Sequence, residues 1–184
     1  MLCFMLQNFL KSTCGKAVYL LYLKSSPRER EKMKAIYFDM DGTIYDLYNV
    51  DNWLSLLENE DETAYSCGKS LYDMAALNAL LEKFVSMGVT IGVITWGAMN
   101  GSKEFGKRIR AIKKQWIKEN LPCVSEFHCV KYGTPKQNVC KIKESILIDD
   151  NAEVRAAWNG ETIDANKNIM KELKKLLAFL KEVC

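Results

Sequence analysis

Ala35-Ile36-Tyr37-Phe38-Asp39-Met40-Asp41-Gly42-Thr43 is the stretch on which the reading of this 184-residue chain turns. Four apolar residues without interruption are the pattern of a short strand buried on both faces, and such strands belong to parallel sheets covered by helices. Polarity begins abruptly at Asp39. Side-chain direction repeats every two residues in an extended segment, so the carboxylates of Asp39 and Asp41 are expected on one side. Gly42 then permits a sharp turn. A D-x-D tripeptide alone is common in surface loops, but D-x-D-G-T directly after an apolar strand is far more specific. One carboxylate can attack an electrophile while its neighbour moves a proton, if their environments push their pKa values apart.

Outward from this stretch, strands and helices alternate. Helices are expected over 71–87, 103–120, 152–158 and 166–183, with a short one over 135–140. Strands are expected over 89–95, 127–130 and 145–148, with a short extended segment at 162–163. The pattern predicts an α/β fold: a Rossmann-like three-layer α/β/α sandwich around a mostly parallel sheet. Residues 44–70 break the alternation. They hold an acidic patch (Glu58, Glu60, Asp61, Glu62) and one expected helix over 52–57 capped by Asp51, enough for a small helical cap over the end of the first strand.

In open parallel sheets, functional groups gather beyond the carboxyl ends of the strands. That rule singles out residues 39–43, 95–97, 131–136 and 149–150. The second acidic pair, Asp149-Asp150, follows the apolar run Ser145-Ile146-Leu147-Ile148. Carboxylates from two strand ends converging on one crevice make a hard, oxygen-lined site that suits Mg²⁺.

With Phe38-Asp39-Met40-Asp41-Gly42-Thr43, Ile91-Gly92-Val93-Ile94-Thr95, Lys136 after Tyr132-Gly133-Thr134-Pro135, and Ile148-Asp149-Asp150 in this chain order, residues 34 to 165 resemble the haloacid dehalogenase-like hydrolase superfamily. The similarity is greatest to its small phage and bacterial phosphatases, and more distant to 5′(3′)-deoxyribonucleotidases. The resemblance implies a phosphatase working through an aspartyl-phosphate. Asp39 would be the nucleophile. Asp41 would protonate the leaving alcohol and activate water, its main-chain carbonyl binding Mg²⁺. Thr95 would hydrogen-bond a phosphoryl oxygen and Lys136 would neutralise charge beside Asp39. Asp149 would be a metal ligand, and Asp150 a further ligand or an orienting group.

Each residue also has a plainer reading. Thr95 would merely end a strand. Lys136 would be a surface lysine on a helix capped by Thr134, with Lys131 and Lys141 competing for its role. Asp150 or Asn151 would cap the helix over 152–158, and Thr43 would shape the loop instead of touching substrate. His128, within Phe127-His128-Cys129-Val130, reads as a core histidine. Trp96 stands where the family usually has a small residue. Its main-chain N–H suits phosphate binding, while its ring would narrow the pocket, stack on a base or pack under the cap. Trp53 offers a second aromatic surface, and two aromatics near a phosphate site suit a nucleotide.

Composition narrows the alternatives. The formal charge of +3 divides into +4 on residues 1–32 and −1 on the remainder, which disfavours strong duplex nucleic-acid binding. The seven cysteines include no C-x-x-C pair, so a reducing, cytoplasmic setting is expected. A single histidine excludes multi-histidine metal centres. Residues 1–24 carry Gln7, Asn8, Lys11 and Lys16 among their apolar runs, where a spanning helix needs about 20 mostly apolar residues. Residues 1–32 are expected to be an extension outside the fold, which would begin at Met33, or an over-extended gene start, with a membrane-surface helix over 1–24 as the alternative. The expected partner is a small phosphorylated substrate, with nucleotides among the candidates. A polynucleotide-end phosphatase and a non-catalytic phosphate-binding protein are the alternatives. A response-regulator receiver is excluded because it carries its acidic pair first.

Overall fold

The apolar runs become five strands in the computed structural model, which describes residues 33–183: β1 (Ala35–Phe38), β2 (Thr90–Trp96), β3 (Glu126–Val130), β4 (Ser145–Asp149) and β5 (Glu161–Asp164). The readings of residues 1–24 and 1–32 lie outside the described residues. The strands form one sheet in the order β3-β2-β1-β4-β5, and all four pairings are parallel, so the sheet is wholly rather than mostly parallel. β1 is central because its four residues are apolar and buried throughout. The chain runs outward from β1 through β2 to β3, then crosses to the other side for β4 and β5. The crevice between the ends of β1 and β4 is therefore the topological switch point, where ligands bind in open α/β sheets.

Among the described residues six helices accompany the strands: α1 (Trp53–Glu58), α2 (Thr63–Cys67), α3 (Met74–Val85), α4 (Lys103–Asn120), α5 (Ala152–Ala157) and α6 (Ile169–Val183), with a 3₁₀ turn at Lys136–Asn138. Alternation along the strands divides the core. Ile36, Phe38, Ile91, Val93, Ile146 and Ile148 face a large layer that includes Leu77, Leu81, Phe84, Ile109, Ile117 and Leu173 from α3, α4 and α6. Ala35, Tyr37, Ile94 and Leu147 face the opposite side, where Val154 and Trp158 close a much smaller cluster. The three layers are thus unequal, and the second face is covered by the six residues of α5 and by loops.

Local chemistry trims the expected elements. The helix expected from residue 71 starts at Met74, since Asp73 caps it by accepting from the Ala76 N–H at 3.0 Å, and the Leu71 N–H is committed to Ile44 O. The final helix starts at Ile169, because Asp164 first holds Asn166 and Lys167 in a turn. The helix expected over 135–140 contracts to the 3₁₀ turn. His128 is not a core histidine. It stands half-exposed on edge strand β3, its Nε2 3.4 Å from Glu126.

The insert after β1 departs most from expectation. Its first helix is not capped by Asp51: Asn52 precedes it at φ 56° and supplies no capping side chain. The second helix, α2, was not expected, and it begins where Asp61 accepts from the Thr63 N–H at 2.9 Å. Two residues of the acidic patch make contacts outside the insert. Glu60 accepts from the Ser102 N–H and hydroxyl, and Glu62 pairs with Arg108, tying the insert to the start of α4. Beneath it Tyr45 stacks on Tyr65 at 5.7 Å and meets Trp116 edge-on at 5.4 Å, while its hydroxyl donates to Ala64 O. Among the described residues no helix is long and apolar enough to cross a membrane. Cys67, Cys123, Cys129 and Cys140 are free thiols.

Candidate active site

The sheet pairing that builds β1 continues one residue further, since the Asp39 N–H donates to Ile148 O at 2.8 Å. This delivers Asp39 to the switch point beside Asp149 and Asp150. One oxygen from each of the three carboxylates lies within 4.8 Å of the others. Behind Asp39 the chain turns tightly, with Met40 O accepting from the N–H groups of Thr43, Ile44 and Tyr45.

Gly42 makes that turn at φ 74°, and a Cβ there would meet the Tyr48 ring and approach Asp150 Oδ2 to 2.8 Å. The left-handed backbone alone costs a non-glycine residue about 1–2 kcal/mol. Gly42→Ala is accordingly expected to lower unfolding free energy in urea by at least that much. It should also weaken metal binding, because Asp150 must move.

Of the three competing lysines, Lys136 is buried and Lys131 and Lys141 are exposed. The 3₁₀ turn carries the Lys136 ammonium between two carboxylates, 2.8 Å from Asp39 Oδ1 and 2.8 Å from Asp149 Oδ2. Burial works against this ammonium, but Asp39 and Asp149 outweigh it and raise its pKa. Trp96 walls the lysine on one side. Its ring centroid is 5.0 Å from Lys136 Nζ and 5.1 Å from the Tyr132 ring, and its indole N–H donates to Thr134 O.

Asp41 shares the cavity with Asp39 but has different neighbours. Its Oδ2 accepts from Lys113 Nζ at 2.5 Å and from the Tyr65 hydroxyl at 3.1 Å, and the three-carboxylate cluster does not include it. Burial, opposed by Lys113 and reinforced by Asp39, raises its pKa. Burial and then Asp39 likewise push Asp149 up to about 6 and raise Asp150. Counted in their ionised forms, these four carboxylates outnumber the two ammonium ions by two, an excess that one divalent cation would neutralise. The hard oxygen donors of Asp39, Asp149 and Asp150, and their excess charge, fit a metal ion.

The remaining expected residues fall into place around these. Thr95 and Thr43 are fully buried and do not line the cavity: Thr95 Oγ1 accepts from Lys113 at 3.0 Å, and the Thr43 hydroxyl faces Asp150 at 3.4 Å. Asn151, not Asp150, caps α5, accepting from the N–H groups of Glu153 and Val154. Asp150 is left facing the cavity, and the Asn151 N–H steadies Asp149 Oδ1 at 2.9 Å. The cavity, about 190 Å³, is walled at its mouth by Tyr48, Trp53, Leu54, Trp96, Met99 and Tyr132. Trp53 packs edge-on against Tyr48 at 5.2 Å.

Lys113 is the residue the motifs did not reveal, although a signal was present. It lies four residues after Ile109 and four before Ile117, inside the apolar stripe of α4, where a charged residue needs a buried partner. Compared with known proteins, the chain matches no family model and no curated sequence.

Proposed function

We propose that this protein is a Mg²⁺-dependent phosphatase of the haloacid dehalogenase-like type, hydrolysing a small phosphomonoester through an aspartyl-phosphate on Asp39. One observation carries the reading: Asp39 stands at the switch point, paired with Lys136 and grouped with Asp149 and Asp150. On this reading Asp39, Asp149 and Asp150 hold Mg²⁺, which supplies charge neutralisation at the transferring phosphoryl group. A carboxylate oxygen of Asp39 attacks phosphorus as the ester P–O bond breaks. Asp41 gives the departing alkoxide its proton, then takes one from the water that attacks the aspartyl-phosphate, releasing inorganic phosphate and restoring Asp39. Two of the three Lys136 protons go to Asp39 and Asp149, which leaves one for a phosphoryl oxygen.

The aromatic mouth favours an ester with a flat or apolar alcohol part, nucleoside monophosphates among them. Among the described residues Lys136 is the only basic one lining the cavity, which favours a single phosphoryl group over two. The catalytic unit is residues 33–184 with 44–70 as its cap, and the free thiols suit a reducing, cytoplasmic setting.

The expected result is phosphate release from p-nitrophenyl phosphate and from members of a nucleotide panel, dependent on Mg²⁺ and abolished by a chelator. Mg²⁺ at 100 times its Kd should also stabilise the fold by about 2.7 kcal/mol, read as a raised Tm. Absence of both effects would overturn the proposal.

A further inference from the structure

Lys113 reaches the site from α4 and is fully buried. An ammonium in such surroundings is tolerated only when each of its three protons meets an acceptor. Here they do: Asp41 Oδ2 at 2.5 Å, Trp96 O at 2.7 Å and Thr95 Oγ1 at 3.0 Å. With all three protons committed inside the protein, Lys113 has none to offer a phosphate. Whatever it contributes must pass through the groups it holds.

The most consequential of those is Asp41. Lys113 and the Tyr65 hydroxyl both donate to the same oxygen, Oδ2, and Lys113 Nζ sits 4.8 Å from the centroid of the Tyr65 ring. The other oxygen, Oδ1, is buried and has no hydrogen-bond partner. A buried acceptor without a partner is costly, and Asp41 lines the cavity. The two oxygens are therefore distinguished by their surroundings: Oδ2 is clamped from the core and from the insert, and Oδ1 is buried without a partner.

We infer that Lys113 and Tyr65 are positioning residues that clamp Asp41 Oδ2 and so fix the orientation of the carboxyl group that protonates the departing alcohol. The inference rests on the phosphatase reading and adds to it a role for the insert. Through Tyr65, α2 supports the proton donor directly, in addition to covering the crevice. Lys113 also occupies a lone pair of Thr95 Oγ1, whose own hydrogen is donated to Trp96 O at 3.4 Å.

A clamp on the proton donor has a signature that general loss of structure lacks. An alkyl phosphate needs its leaving oxygen protonated, whereas p-nitrophenolate departs with little help. The test compares kcat/KM for an alkyl phosphate and for p-nitrophenyl phosphate in the wild type, Lys113→Met, Tyr65→Phe and the exposed-site control Lys114→Met. Lys113→Met is expected to lower alkyl phosphate turnover on the order of 100-fold, and p-nitrophenyl phosphate turnover by less than about tenfold. Tyr65→Phe should shift the ratio in the same direction by about threefold to tenfold, and Lys114→Met should leave it unchanged. If Lys113→Met does not fold, Tyr65→Phe decides. Equal losses on both esters, or an unchanged ratio, would overturn the inference while leaving the phosphatase reading intact. A wild type inactive on both esters would overturn the phosphatase reading and the inference together.

Discussion

Asp39→Asn is expected to lower phosphate release from any accepted ester by on the order of 10⁴-fold or more, measured as kcat at saturating Mg²⁺. The substitution keeps the volume of the side chain and removes its charge. An amide oxygen cannot displace an alkoxide from phosphorus, so no covalent intermediate forms. Lys136 simultaneously loses one of its two anionic partners, since its 2.8 Å contact with Asp39 Oδ1 becomes a contact with a neutral group. The residual rate should reflect electrostatic stabilisation by the remaining site. Undiminished turnover in Asp39→Asn would rule out the nucleophile assignment, and radiolabelled phosphate trapped on the wild type but not on the variant would support it.

Lys136→Met is expected to be nearly as damaging to activity and also to the fold. Lys136 is 1% exposed, and its partners Asp39 and Asp149 are 11% and 0% exposed in their side chains. Removing one member of a buried ion pair leaves charge without compensation and costs about 3–5 kcal/mol. Without the ammonium, Asp39, Asp149 and Asp150 repel one another across less than 4.8 Å. Denaturant midpoints in the absence of divalent ion should fall accordingly, and Mg²⁺ should recover part of the loss by restoring positive charge. The contrasting case is Lys34–Glu144, a pair at 3.4 Å whose side chains are 45% and 48% exposed. Lys34→Met should change stability by about 0–1 kcal/mol, because solvent screens both charges. A Lys136→Met protein as stable as the wild type would show that the carboxylates are not held together against their own repulsion.

The line between what could and could not be read in the sequence follows the range of the interactions. β1 was legible because four consecutive apolar residues suit only a strand buried on both faces, and the helix at Lys103–Asn120 because its stripe and its Ser102 cap are local. The convergence of Asp39 with Asp149 and Asp150 followed from the rule about strand ends in parallel sheets. α2 was not legible. Its five residues, Thr-Ala-Tyr-Ser-Cys, have no helical period, and they pack through Ala64 and Tyr65 against side chains remote in sequence. His128 was misread for the same reason: an apolar-looking strand does not announce that it lies at an edge of the sheet.

By itself, then, the amino-acid sequence determined a parallel α/β fold, a helical insert after the first strand, and carboxylates brought to the ends of two strands. Those follow from periodicity and chain order, which are properties of neighbouring residues. Only the tertiary structure decided which lysine faces Asp39 and that α4 supplies a second ammonium 72 residues away from Asp41. It also distinguished the two oxygens of Asp41, because their difference lies in desolvation and in the geometry of donors from α4 and the insert. A buried charge has its place only where acceptors from several elements meet, and no short stretch of sequence contains that meeting point.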